Sequence, residues 1–339
     1  MKKGLLAAVS FLILAGCAPS ARTTSVSGPD SLAVFIPGTL QGSPTYELLD
    51  QGVRRAAAEV PGTTVKTIEG GFNQAQWGEQ IAALAAGGQY RYIVTSNPAM
   101  PQIAARAAAA YPRQKFLILE SWSKNPSYAT LAYNHRELAY LHGVLGGLLA
   151  ASRHAPPLLG LIAGQDYPDM DNAIVPGFTQ GLQSVSPQGK VEFRTIGNWF
   201  DAAKSAALAK DLFADGVSVV LPIAGGANQG VVSAAKTAGR SVLWYDTDAY
   251  ALEPGVIVGC GLVRQDKASY ELVKRALAGT LTYGNPQVVG IKEGYIGYAT
   301  DSDAFRKALP ADVQAAFLRV LADFQSGKLH FDMPLPNNG

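Results

Sequence analysis

The sequence is poor in cysteine, in histidine and in long apolar runs. Its 339 residues include two cysteines, Cys17 and Cys260, so a framework of several disulfides is excluded. After Cys17 no segment reaches the ~18 apolar residues of a membrane-spanning helix. The four histidines show no metal-binding spacing, and Walker A, dinucleotide-binding and GxSxG patterns are missing. We therefore expect neither a metal site, nor a cofactor, nor enzymatic activity.

An excess of charge of either sign is also missing. The chain has 28 basic and 26 acidic residues, and removal of Lys2 and Lys3 with a leader leaves 26 of each. Nucleic-acid-binding domains are usually basic, so this balance argues against a nucleic-acid partner.

The N-terminus has the pattern of a bacterial lipoprotein. Lys2 and Lys3 precede an apolar run over residues 4–15, which is too short to span a bilayer and is typical of a signal peptide. Small residues then lead to Cys17. We expect residues 1–16 to be the signal peptide, Cys17 to carry a membrane-anchoring lipid, and residues 17–30 to be a flexible tether rich in Ser, Thr and Pro. The alternative is an ordinary secretory signal with an incidental cysteine. Either alternative places the protein outside the cytoplasm.

Short apolar runs alternate with helix-length segments along the rest of the chain. This order predicts an α/β fold with two doubly wound parallel-sheet lobes joined by a hinge. The predicted strands cover residues 32–36, 92–95, 115–120, 158–163, 190–196, 217–223, 241–246 and 256–261. The predicted helices include residues 46–59, 102–111, 138–151, 202–214 and 230–238.

The pattern breaks at Pro156 and Pro157, which cannot continue a helix. We place lobe I at residues 31–153 plus part of 255–339, and lobe II at residues 156–254. Ligands of such sheets bind beyond the carboxyl ends of the strands. That rule makes Asp169, on an acidic loop after the strand 158–163, and Gly225, after the strand 217–223, candidate site residues. Cys260 lies in a predicted strand and is interpreted as a buried, inert thiol.

Five short stretches carry a recognisable pattern: residues 111–116 leading to Glu120, residues 136–145, residues 224–226, residues 245–248 and residues 291–294. In their order and spacing they resemble the BMP (basic membrane protein) family of substrate-binding lipoproteins. The resemblance covers about residues 32 to 298. The resemblance implies a type I periplasmic-binding-protein-like fold and a monomeric receptor that delivers a small molecule to an ABC permease.

The resemblance also implies roles for individual residues. Asp246 matches a family aspartate that binds ribose hydroxyls, although a helix N-cap is the alternative role. Lys292 matches a lysine near the sugar, with a plain surface lysine as the alternative. Trp199 matches a phenylalanine that stacks on the base, with packing under its own loop as the alternative. Glu120 replaces an aspartate, and Trp122 follows two residues later.

The first binding loop departs from the family pattern. Thr45 and Tyr46 stand where the family has Phe and Asn, and Asn97 begins a pair that replaces Gly-Phe. Some of the residues with which the family binds a purine base are therefore missing. Tyr46 and Trp199 are expected to form two faces of a slot for a broader ring. This departure favours the riboflavin-binding branch of the family over the purine-nucleoside receptors, which remain the alternative. A hydrolase and an adhesion lipoprotein are the alternatives from other classes.

Overall fold

Two six-stranded sheets divide the described part of the chain, residues 30–333, into two lobes. The structure is a computed structural model. The first sheet has the order β11 (Gln287–Val289), β5 (Tyr128–Tyr133), β4 (Lys115–Leu119), β3 (Tyr92–Ser96), β1 (Ser31–Ile36), β2 (Thr64–Glu69). The second has the order β12 (Ile296–Tyr298), β10 (Ile257–Val263), β9 (Ser241–Trp244), β8 (Val219–Ile223), β6 (Leu158–Ala163), β7 (Lys190–Thr195). Neighbouring strands are parallel, except that β10 and β12 are antiparallel.

The helices connect and cover these strands. They are α1 (Pro44–Ala58), α2 (Gln74–Gly87), α3 (Met100–Ala110), α4 (His135–Ser152), α5 (Val175–Val185), α6 (Ala202–Ala214), α7 (Asn228–Ala238), α8 (Gln265–Leu277), α9 (Asp303–Ala308) and α10 (Ala311–Gln325). The predicted α/β class with two doubly wound lobes is confirmed. Within residues 30–333 no helix is both long and apolar enough to cross a membrane. The predicted signal peptide, Cys17 and nearly all of the tether lie outside the described residues.

The sequence of strand β1 is apolar without alternation because both faces of the strand are buried. Leu32, Val34 and Ile36 pack in the core cluster that includes residues of α1, whereas Ala33 and Phe35 pack in the cluster on the opposite face with residues of α2 and α3. A central parallel strand buries both of its faces, so a continuous apolar run is required.

The chain crosses between the lobes three times. It passes from β5 to α4 at Asn134, from β10 to α8 at Arg264, and from β11 to β12 over residues 290–295. The crossings are tied together, because Asn134 N–H donates to the Val289 carbonyl at 2.8 Å and Arg264 N–H donates to the Tyr295 carbonyl at 2.9 Å. Three adjacent, hydrogen-bonded crossings form the hinge.

The observed limits of the lobes differ from the predicted ones. Helix α4 packs on α5, α10 and strands of the second sheet, so the first crossing lies at Asn134 rather than at residues 153–156. Almost all of α4 is buried, and the second lobe supplies the apolar surface that covers it. Strand β10 also belongs to the second sheet, although lobe II was predicted to end at residue 254. The chain returns to the first lobe only at α8, which packs on α1.

The end of the described chain closes over the hinge. The buried carboxylate of Glu137, on α4, accepts the Ile291 N–H at 3.0 Å and lies 2.9 Å from His330 Nδ1. The Asn134 side-chain amide donates to the Phe331 carbonyl at 2.6 Å. The C-terminal residues therefore contact the first crossing directly and are linked to the third through Glu137.

Helices α4 and α5 approach too closely to admit a side chain at Gly181. A Cβ there would overlap the carbonyl oxygen of Tyr140. We expect Gly181→Ala to lower the free energy of unfolding by about 1–3 kcal/mol, because the backbones must separate. Urea unfolding would measure this. Gly87→Ala is the control, since Gly87 is exposed in the last turn of α2 and its added Cβ meets nothing closer than 4.0 Å. Equal stabilities of the two variants would contradict the prediction.

Candidate functional site

The candidate site lies where the carboxyl ends of strands from both sheets face one another. Lobe I contributes the start of α1 after β1, Asn97 after β3 and Glu120 after β4. Lobe II contributes Asp169, Trp199, Gly225 and Asp246, on the loops after β6, β7, β8 and β9 respectively. One direct hydrogen bond joins the lobes here, because Thr45 Oγ1 donates to Asp246 Oδ2 at 3.1 Å.

Three carboxylates surround this interlobe site. Burial raises the pKa of Glu120 to about 7, the charges of Asp246 and Asp169 also raise it, and hydrogen bonds from Gln265 and Ser96 oppose the shift. Burial likewise raises the pKa of Asp246, against hydrogen bonds from Thr45 and Thr247. Within residues 30–333 no three His, Cys, Asp or Glu side chains are close enough to bind one metal ion. The carboxylates therefore line the site separately.

Glu120 occupies an unusual backbone conformation. Its φ is +54°, in the left-handed region that a glutamate rarely adopts. The predicted strand 115–120 ends one residue earlier, at Leu119, and the turn at Glu120 directs the chain away from the sheet. Strain of this kind is often found at functional sites.

Tyr46 and Asn97 form the lobe I wall beside Glu120. Burial raises the pKa of Tyr46 to about 12, a hydrogen bond with the Asn97 side chain lowers it, and the charge of Glu120 raises it. Asn97 Oδ1 accepts the Ala99 N–H at 2.9 Å, which orients its amide at the start of α3. Tyr46 is half-buried, so one face of the wall remains accessible.

Trp199 presents an accessible ring on the lobe II side. The residue is 40% exposed, and its ring lies against Gly164, where a Cβ would stand 2.5 Å from Trp199 Cε3. The Trp199 carbonyl accepts the Ala227 N–H at 3.2 Å. Gly225, with φ +56°, passes beside this carbonyl, and a Cβ there would stand 3.2 Å from the oxygen. Gly225 therefore supports the tryptophan loop.

The prediction missed five residues at or next to the site. Tyr167 is the aromatic neighbour of Trp199, with ring centroids 6.2 Å apart. The Tyr245 hydroxyl lies 3.0 Å from His135 Nδ1, and these rings stack at a centroid distance of 5.9 Å. Gln265 is fully buried and donates to Ser96 Oγ at 3.1 Å. Gln265 opens α8 directly after the second crossing, so it joins Glu120 to the hinge.

No described contact links two of the predicted residues, Lys292 and Trp122, to the carboxylates. Lys292 is exposed, and its side chain lies against Gly327 after α10, where a Cβ would stand 3.2 Å from Lys292 Nζ. Trp122 is half-buried on the loop that leads to β5. Among residues 30–333 no hydrogen bond or aromatic contact ties Trp122 or Lys292 to Glu120, Asp169 or Asp246. Their roles at the site stay predictions.

Two parallel-sheet lobes around an interlobe site define the type I periplasmic-binding-protein fold. A solved ABC transporter solute-binding protein from Aeropyrum pernix K1 has the same fold, with a TM-score of 0.75 at 21% identity over 91% of this chain and 95% of that chain. The family model of the ABC transporter substrate-binding proteins of the PnrA-like type (Bmp) matches residues 30–316. The chain belongs to this family, which confirms the predicted BMP membership. The family consists of substrate-binding proteins, in agreement with the expectation of a protein that is not an enzyme.

Two curated relatives share part of the sequence. Over 155 residues the chain is 32% identical to the ABC transporter nucleoside-binding protein BmpA of Lactococcus lactis subsp. cremoris, covering 45% of this chain and 42% of BmpA. Over 170 residues it is 24% identical to basic membrane protein D of Borreliella burgdorferi, covering 49% and 48%. The chain spans about half the length of the curated relatives it matches. Similarity to the riboflavin-binding branch was not found among these relatives.

The raised pKa of Glu120 predicts a pH-dependent stability of the ligand-free protein. The folded state keeps this proton up to about pH 7, whereas the unfolded chain releases it near its ordinary pKa of 4.5. The stabilisation is complete below about pH 4.5 and is lost as the pH rises through about 7. Glu120→Gln should therefore flatten the decline in unfolding free energy over this range.

Urea unfolding of ligand-free protein at a series of pH values would measure the decline. Glu79→Gln, on an exposed position of α2, is the matched control and should retain the wild-type slope. Identical slopes for wild type and Glu120→Gln would show that Glu120 does not titrate in this way.

Proposed function

We propose that the protein is the extracytoplasmic ligand receptor of an ABC importer, anchored to a bacterial membrane through a lipid on Cys17. The observation that carries the proposal is the hydrogen bond between Thr45 and Asp246, which joins the lobes beside Glu120. Membership in a substrate-binding family supports it. The permease of the importer is the protein partner, and it receives the closed form.

Binding works by hinge closure in this proposal. The three crossings allow the lobes to rotate, and a ligand that contacts both lobes stabilises the closed arrangement. The groups that face the ligand come from both sides of the gap, with Tyr46 and Glu120 on lobe I and Trp199 and Asp246 on lobe II. A ligand held by one lobe alone would not favour closure.

The chemistry of the lining defines a class of ligand. Carboxylates accept charge-assisted hydrogen bonds from hydroxyl groups, and the exposed indole offers a face for a flat ring. We therefore propose a neutral ligand that combines a heteroaromatic ring with several hydroxyl groups. Anionic ligands are disfavoured, because Glu120, Asp169 and Asp246 would repel them.

Riboflavin and a purine nucleoside both fit this class. Tyr46 and the broad ring of Trp199 favour riboflavin, whose tricyclic ring needs wider faces and whose ribityl chain carries hydroxyls. The partial similarity to a nucleoside-binding protein favours a nucleoside. We propose riboflavin first, since Thr45 and Tyr46 replace family residues that read a purine.

Riboflavin should bind with quenching of its fluorescence, because its ring would stack on aromatic side chains. Titration of about micromolar ligand with purified protein would measure the quenching, and inosine and adenosine would be tested as competitors. If riboflavin fluorescence is not quenched and calorimetry shows that a nucleoside binds, the ligand is a nucleoside and not riboflavin. If neither riboflavin nor a nucleoside binds, the proposed class of ligand is wrong.

Trp199→Ala and Asp246→Ala should each weaken ligand binding by at least about 1–2 kcal/mol, through loss of ring stacking or of hydroxyl contacts. Isothermal titration calorimetry with the ligand identified above would measure this loss. Phe200→Ala is the control, because Phe200 adjoins Trp199 but is 71% exposed. Unchanged affinity of both site variants, with unchanged melting temperatures, would refute the site assignment.

A further inference from the structure

A second cavity lies in lobe II at the end of the sheet opposite the interlobe site. It has a volume of about 330 Å³ and is lined at the amino ends of β8, β9 and β10. Its polar lining consists of Arg153, Ser218, Lys236, Arg240 and Ser241. We call it the amino-end cavity. The sheet separates it from Trp199 and Asp246, which follow the opposite ends of the strands.

Positive charge in the amino-end cavity exceeds negative charge. Lys236 Nζ pairs with Glu253 at 3.0 Å, whereas neither Arg153 nor Arg240 forms a salt bridge with any carboxylate in residues 30–333. The two guanidinium groups are close enough to act on one another, since burial and then the charge of Arg240 lower the pKa of Arg153. An anion between them would relieve this repulsion.

A buried hydroxyl group also lacks a partner in this cavity. Ser218 is 2% exposed, and its Oγ forms no hydrogen bond. Buried polar groups are nearly always paired, so the Ser218 hydroxyl among the lining residues is able to form one further hydrogen bond. The neighbouring Ser241 Oγ is already oriented, because it accepts from Arg153 at 2.9 Å.

We propose that the amino-end cavity binds a phosphate-type oxyanion. Guanidinium groups match the geometry of phosphate oxygens and form strong charge-assisted hydrogen bonds with them. Arg153 and Arg240 supply the charge, and the Ser218 hydroxyl donates a further hydrogen bond. The source is either a soluble phosphate or a phospholipid headgroup. This site is independent of the ligand carried between the lobes.

Calorimetric titration with inorganic phosphate, at constant ionic strength against chloride, tests the proposal. We expect saturable binding of one phosphate per chain. Arg240→Ala should weaken it at least about tenfold, the size expected for one charge-assisted hydrogen bond, and Ser218→Ala should also weaken it. Lys210→Ala is the matched control, because it removes an exposed positive charge from α6 of the same lobe. The control should bind like wild type.

Vesicle sedimentation separates the two sources. Vesicles of phosphatidylglycerol and of phosphatidylcholine would be compared, using the soluble chain from residue 18 and the same variants. Phosphate binding without retention on either vesicle assigns a soluble anion, whereas retention on phosphatidylglycerol that Arg240→Ala abolishes assigns a headgroup. If neither phosphate nor vesicles bind, or if Arg240→Ala and Lys210→Ala have equal effects, the proposal is wrong.

Discussion

Burial of the carboxylates of Glu120 and Asp246 at one interlobe gap is the constraint on which the rest of the site depends. Glu120, Asp169 and Asp246 come from loops after different strands, and the burial that brings them together raises the pKa of Glu120 and of Asp246. Thr45 partly compensates by donating to Asp246 across the gap. A ligand rich in hydroxyl groups would supply the remaining donors. The hydrogen-bond donors that the buried carboxylates require are therefore the groups that the proposed ligand would carry.

The hinge is linked both to that site and to the last described residues of the chain. Gln265 begins α8 directly after the second crossing and hydrogen-bonds with Ser96 beside Glu120. On the other side, Glu137 joins Ile291 of the third crossing to His330. Movement of the lobes must therefore alter contacts at both places. The carboxylates are thus linked to the second crossing, and the C-terminal residues to the first and the third crossings of the same hinge.

Prediction from sequence succeeded for most strands that bury both faces. The strands β1, β3, β4, β6, β8, β9 and β10 and the edge strand β7 were recognised, whereas β5 was missed although all of its residues are buried. The rule that ligands lie beyond strand ends gave Asp169 and Gly225, and the family resemblance gave the other site residues. The edge strand β2 was missed because its residues alternate between exposed and half-buried positions. Helix α4 was assigned to the wrong lobe, since its all-round apolar character shows burial but not the partner that buries it.

The sequence by itself determined most of the local elements and excluded a framework of several disulfides, because these depend on residue type and periodicity along the chain. Its resemblance to a family supplied the candidates Asp246 and Trp199. Only the tertiary structure decided which lobe receives α4 and β10, that Tyr167 and Gln265 join the site, and that Lys292 lies against Gly327. The pairing of Thr45 with Asp246 joins residues far apart in the chain. Such contacts arise from the packing of whole lobes, and no local pattern of residues encodes them.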